Sequence, residues 1–161
     1  MSIKLKAISF AMKIHAEQVR KYTGNPYSDH LFEVAGIVSM VDSSERTLIT
    51  ALLHDSVEDQ GITWNEIALR FGEEIASGVQ WLSDLETGNR ATRKRLSRER
   101  LALAPDWVQN IKVADLISNT SSIVKHDPKF AVIYLEEKRL LLDVLTKADP
   151  ELRDIARGMC S

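Results

Sequence analysis

Apolar positions along this chain recur at offsets of three and four residues, and convincing two-residue alternation is scarce. Ala7, Ile8, Ala11, Ile14 and His15 set the pattern near the start, and side chains at those offsets share one face of an α-helix. A first helix is therefore expected over about Ile3 to Lys21, broken by Thr23-Gly24-Asn25-Pro26, where glycine and proline interrupt helical backbone. Ser28 is placed to cap a second helix reaching about Val41, and Ser43 or Ser44 a third that runs into His54-Asp55. Thr63 followed by Glu66 forms a capping-box pattern for a short helix ending near Phe71-Gly72. Glu73 to Leu82 is the next helix, and a polar loop covers Ser83 to Ala91. The remaining helices are expected at about Thr92 to Ala104, Asp106 to Val124, Pro128 to Ala148 and Pro150 to Gly158. The fold class is all-α.

Length narrows this picture to one domain over residues 1–161, long enough for a substantial core. Hydrophobic residues at 44% and charged residues at 27% are ordinary for a globular protein and disfavour disordered and membrane classes. The N-terminal segment is interrupted by Lys4, Lys6 and Lys13, so it lacks the apolar core of a signal peptide. Cys160, the single cysteine, cannot form an internal disulfide, which suits a reducing cytoplasm. A net charge of −2 argues against general binding of nucleic acid polymers. Locally, six basic residues fall between Arg90 and Arg100, namely Arg90, Arg93, Lys94, Arg95, Arg98 and Arg100. They form either a solvated helix face or a source of attraction for phosphate.

Candidate chemistry concentrates in Ala51-Leu52-Leu53-His54-Asp55-Ser56-Val57-Glu58-Asp59, where an apolar run opens onto one histidine and three carboxylates. On a continuous helix these four polar side chains would lie within an arc of about 140°. Imidazole nitrogen with carboxylate oxygen suits a borderline-to-hard divalent cation, which would offset the clustered negative charge. The alternative is a solvated acidic helix end. Three further segments bear on the choice. His30 lies just after the expected Ser28 cap. In Ile111 to Asn119, Lys112, Asp115 and Asn119 form one polar stripe on an otherwise apolar helix. Gln18 to Gly24 reads as a basic and aromatic helix end suited to a phosphorylated ligand.

Together these segments resemble the HD-domain hydrolases of the RelA/SpoT group, in particular its small alarmone hydrolases similar to the metazoan SpoT homologue. Arg20-Lys21-Tyr22, Pro26-Tyr27, His30, His54-Asp55, Glu58-Asp59 and Lys112 to Asn119 occur in the family's order, over nearly all of residues 5 to 145. The resemblance implies a single-domain HD-type helical bundle that removes the 3′-pyrophosphate of (p)ppGpp, giving GDP or GTP and pyrophosphate. It implies His30, His54, Asp55 and Asp115 as ligands of Mn2+, with other divalent ions as alternatives. Glu58 and Asp59 would activate water. Arg20, Lys21 and Tyr22 would bind substrate, Asn119 would contact ribose or phosphate, and Lys112 would either contact phosphate or pair with the carboxylates. Leu31 and Gln60 depart from the common proline and threonine without removing an implied ligand. Tyr134 and Lys129 fall where relatives contact nucleotide, and Tyr134 is equally suited to the core. The expected partner is a nucleotide alarmone, with no membrane and with homo-oligomerisation left open. Two competing readings stand beside this one: an HD phosphohydrolase acting on (p)ppApp, NADPH or another nucleotide, and a catalytically silent alarmone-binding module.

Overall fold

The structure, a computed structural model, describes residues 1–160, which fall into two compact helical units divided between Ser83 and Asp84. Among the described residues no strand forms, and extended pairing is confined to one isolated bridge between Val19 and Pro26. Among these residues no helix is long and apolar enough to cross a membrane.

The first unit contains α1 (Ile3–Ile14), α2 (Ser28–Ser39), α3 (Glu45–Leu53), α4 (Ser56–Gln60), α5 (Trp64–Phe71) and α6 (Glu73–Leu82). Its centre is α3, which is buried continuously from Ile49 to Leu53 and packs against α1, α2 and α6. Ala7 and Ala11 from α1, Leu31 from α2, Ile67 and Phe71 from α5, and Ile75 and Val79 from α6 complete this core. A helix buried on nearly every face derives its stability from packing rather than from propensity. The helix starts use local polar groups. Thr63 accepts from the Glu66 amide as the capping pattern predicts, at 3.1 Å. At α3 the loop is tied instead by Asp42, which accepts from the Ser44 amide at 2.9 Å and from the Thr47 hydroxyl at 2.6 Å. Ser28 is the first residue of α2 rather than its cap.

The expectation of a helix from Ile3 to Lys21 is corrected. α1 ends at Ile14, and the chain then folds into a small hairpin in which Arg20 N donates to Asn25 O at 2.8 Å and Tyr27 N donates to Gln18 O at 2.9 Å. Gly24, at φ +72°, supplies the left-handed backbone that this reversal needs. Arg20, Lys21 and Tyr22 consequently sit in a turn, not at a helix end.

The second unit contains α7 (Arg90–Ala102), α8 (Asp106–His126), α9 (Pro128–Val144) and α10 (Pro150–Gly158). α8 packs against α9 and α10, while α7 packs against α9. Asn89 starts α7 through the Thr92 amide, two residues before the expected start, whereas Asp127 starts α9 at the expected Pro128 through the Phe130 amide, and that helix ends at Val144 rather than Ala148. Much of the basic run is neutralised within this unit. Arg90 makes two bonds to Glu137 and lies over the Phe130 ring, Arg95 pairs with Glu99, and Arg100 pairs with Asp84 and Glu86. For these three arginines the solvated, ion-paired reading accounts for the pattern.

Gln109 is the polar pin of the second unit. Fully buried on α8, it donates to the carbonyls of Leu101 and Ala104 at 3.0 and 3.3 Å, and its oxygen accepts from the Lys147 amide at 2.9 Å. It thus joins the ends of α7 and α9 to α8. Gln109→Leu keeps the bulk but strips several buried backbone groups of partners, so we expect a loss of about 2–4 kcal/mol in unfolding free energy by urea titration. A loss below about 0.5 kcal/mol would show that the pin is dispensable.

Candidate metal and carboxylate site

Burial drives α3 inward until Leu53, and there the helix breaks. His54 keeps helical dihedrals, whereas Asp55 has φ −99° and ψ 3°, in the bridge region where many active-site residues lie. The third helix, expected to run into His54-Asp55, ends at Leu53, and a separate α4 follows, so the His-Asp pair sits at the junction of two helices rather than on one continuous helix with Glu58 and Asp59. Ser56 Oγ donates to the Leu53 carbonyl at 2.6 Å, satisfying an acceptor at the end of α3. Asp59 N still bonds Asp55 O at 2.9 Å, so the turn leading to the next carboxylates is kept.

An aspartate at a helix N-cap ordinarily accepts from the first turn. Asp55 occupies that position at α4 yet makes no side-chain cap bond. Its Oδ2 instead accepts from the Tyr27 hydroxyl at 2.7 Å and faces His54 Nε2 at 3.0 Å and His30 Nε2 at 3.8 Å. His30 reaches this point from the first turn of α2, with its ring 5.5 Å from that of His54. His30, His54 and Asp55 are all buried. The Ala51 carbonyl lies 2.6 Å from His54 Nδ1. A carbonyl can only accept, so Nδ1 carries a proton and Nε2 is the nitrogen turned toward Asp55.

Glu58 and Asp59 follow on α4, both with solvent access. Partial burial, and then the negative charge of Asp55, push the Asp59 carboxyl above its ordinary range, against the opposing effect of its bond from Gln18. Gln18 Nε2 donates to Asp59 Oδ2 at 3.0 Å. In the hairpin, Arg20 is half-buried, Lys21 is exposed, and Lys21 Nζ sits 5.1 Å from the Tyr22 ring centre. Two further residues of this unit, to which the sequence alone assigns no role in the site, complete it. Tyr27 and Gln18 are partners of Asp55 and Asp59, and only the three-dimensional turn brings them there.

In the second unit the polar stripe of α8 forms as expected. Buried Asp115 accepts from Lys112 Nζ at 3.0 Å on Oδ2 and from Asn119 Nδ2 at 3.1 Å on Oδ1. Burial alone would raise the Asp84 carboxyl, but Lys112, Ser97 and Arg100 override it and hold it below the usual range. Burial and then the Lys112 charge lower the Lys94 ammonium. Burial pushes the Tyr134 phenol up to about 12, so it stays neutral, 3.4 Å from the Leu116 carbonyl and 3.4 Å from the Thr120 hydroxyl.

The pattern of the HD domain matches residues 7–112, well over half of the chain. The chain belongs to the HD-domain family. His54-Asp55 is the one His-Asp pair within the matched residues, and it lies at the break between α3 and α4. One relative, the guanosine-3′,5′-bis(diphosphate) 3′-pyrophosphohydrolase MESH1 of Xenopus tropicalis, is 34% identical over 128 residues, covering 78% of this chain and 72% of its own. The GTP pyrophosphokinase rsh of Brucella ovis is 34% identical over 135 residues, covering 79% of this chain. The HD-domain chain described here spans only 18% of that relative's length. A solved structure of a metazoan orthologue of SpoT, described as hydrolysing ppGpp and playing a role in starvation responses, superposes with a TM-score of 0.90 at 24% identity. That superposition covers 99% of this chain and 94% of the other, and it establishes the HD-type all-α fold.

The donors of this HD-domain site fit a divalent cation. Two imidazoles and a carboxylate oxygen offer borderline and hard ligands together, and the carbonyl behind His54 is the kind of outer support that metal-binding imidazoles receive. Tyr27 plays the same supporting part for Asp55. Tyr27→Phe removes one hydroxyl and should weaken divalent-ion affinity by roughly tenfold, the scale of outer-shell effects, in isothermal titration. Unchanged affinity would mean that Tyr27 does not orient Asp55.

Proposed function

We propose that this chain is a Mn2+-dependent 3′-pyrophosphohydrolase of ppGpp and pppGpp, releasing GDP or GTP and intact pyrophosphate, with residues 1–161 acting as one HD-type domain in the cytoplasm. The observation that carries this reading is the convergence of Tyr27, His30 and His54 on Asp55 Oδ2, one helical turn before Asp59. The name and activity of the Xenopus relative, most of whose length this chain covers, support the same substrate class.

In this reading His30, His54, Asp55 and Asp115 hold the ion. When bound, the ion supplies Lewis acidity for water and for a phosphate oxygen. Asp59 accepts a proton from the attacking water, a task suited to a carboxyl raised above its ordinary range. Glu58, beside it on α4, orients that water. Lys112 and Asn119 hold the two oxygens of Asp115, which makes Lys112 first of all a partner of the carboxylate. Asn119 also contacts the ribose or phosphate. Arg20 and Lys21 bind the pyrophosphate charge from the hairpin, where a guanidinium can make paired hydrogen bonds, and Tyr22 lines their side of the substrate.

Chromatography of the reaction should show GDP and pyrophosphate appearing together from ppGpp. Early orthophosphate with a mono-dephosphorylated nucleotide would overturn the bond assignment, and a strong preference for ppApp would overturn the guanine assignment alone. Glu58→Gln and Asp59→Asn should each keep their metal while kcat falls by about 10²-fold, the scale of general acid-base effects. Loss of metal in both would reassign them as ligands or supports of the ion.

A further inference from the structure

We propose that Gln18 is a positioning residue that sets the orientation of the Asp59 carboxylate; the assignment rests on the reading of Asp59 as the proton acceptor. Three bonds meet at the Gln18 amide. His15 Nδ1 lies 2.6 Å from Oε1, Gln60 Nε2 donates to Oε1 at 2.8 Å, and Gln18 Nε2 donates to Asp59 Oδ2 at 3.0 Å.

Hydrogen-bond chemistry permits one orientation of this amide. If its oxygen and nitrogen were exchanged, an acceptor would face the Asp59 carboxylate and a donor would face the Gln60 amide nitrogen. With the observed orientation, all three contacts are donor to acceptor, and His15 carries its proton on Nδ1. The far end of the network is firmly held. His15 is buried at 2% exposure, and its ring packs 5.3 Å from that of Tyr27. The Gln18 backbone is fixed as well, its carbonyl accepting from the Tyr27 amide at 2.9 Å.

Asp59 needs such a partner because it is an accessible carboxylate subject to the negative charge of Asp55. A short side chain in that position is free to rotate unless something selects one rotamer. The Gln18 bond occupies Oδ2 and leaves Oδ1 as the oxygen that accepts the proton. The same hairpin bears Arg20 and Lys21, so one piece of backbone sets both the carboxylate and the cationic groups. Gln60 gives Gln18 a second restraint, its Nε2 donating to the same oxygen that faces His15.

The test is steady-state hydrolysis of ppGpp with Mn2+ by the full chain, comparing Gln18→Leu, Asp59→Ala and the double variant. Gln18→Leu should lower kcat about tenfold, the worth of one well-placed hydrogen bond, with KM within about twofold. In the Asp59→Ala background the same substitution should cost nothing further, because its effect passes through Asp59. A merely structural role would lower kcat by the same factor in both backgrounds. Gln60→Thr leaves the His15 bond in place and should cost less than Gln18→Leu. Should Gln18→Leu lose its thermal unfolding transition, Gln18→Glu serves instead: it keeps an acceptor for His15 and Gln60 but replaces the donor facing Asp59, and the same non-additive loss is expected. Full kcat in the Gln18 variants, or equal losses with and without Asp59, would overturn the positioning role alone. Full kcat in Asp59→Ala would overturn the role of Asp59 and this assignment with it.

Discussion

A buried carboxylate is expensive unless partners replace the water it has lost, and the arrangement around Asp55 follows from that requirement. Its Oδ2 takes a phenolic hydrogen bond from Tyr27 and faces two imidazole nitrogens, and each of these groups comes from a different stretch of the first unit. The hairpin ends at Tyr27, α2 begins with His30 in its first turn, and α3 ends at Leu53 with His54 as its C-cap. The termini of these elements matter more to the site than their middles. Continuing α3 as regular helix past Leu53 would remove the junction conformation that Asp55 adopts. Lengthening α1 past Ile14 would remove the hairpin that carries Tyr27, Gln18, Arg20 and Lys21.

The second unit solves the same problem with different chemistry. Asp115 is also buried, but its two oxygens are satisfied from its own helix, by a lysine three residues earlier and an amide four residues later. Charged partners at these offsets are natural on an α-helix, where such positions are neighbours. A carboxylate held on both oxygens has one orientation, which is what a ligand or a ligand's support requires. Lys112 is accordingly tied into electrostatics wider than a single substrate contact, since Asp84 and Lys94 both respond to its charge.

Helical periodicity carried most of the fold. The apolar offsets placed all of the longer helices, and the Thr63-Glu66 pair marked a cap that the structure contains. The polar stripe of α8 was legible because three, four and seven residues are helix-face spacings whatever surrounds them. Three things were not legible. The end of α1 was hidden because His15 is buried on the same face as Ala7 and Ala11, so the pattern ran on past the last turn. The signal for the true end lay in Gly24 and Pro26, which build a hairpin rather than merely stop a helix. The contacts of Gln18 with Asp59 and of Tyr27 with Asp55 span 41 and 28 residues, and no local spacing encodes a bond of that range. The break at His54-Asp55 was likewise masked, because both flanking segments are helical.

In the proposed function these convergent donors hold a divalent ion on which turnover depends. The most direct measurement is elemental analysis of the purified chain alongside its activity on ppGpp, before and after chelation and in Asp55→Asn. About one divalent ion per chain is expected, with loss of ion and activity together on chelation or in Asp55→Asn, and recovery of the native chain with Mn2+. Full turnover by a chain carrying no bound metal would contradict it.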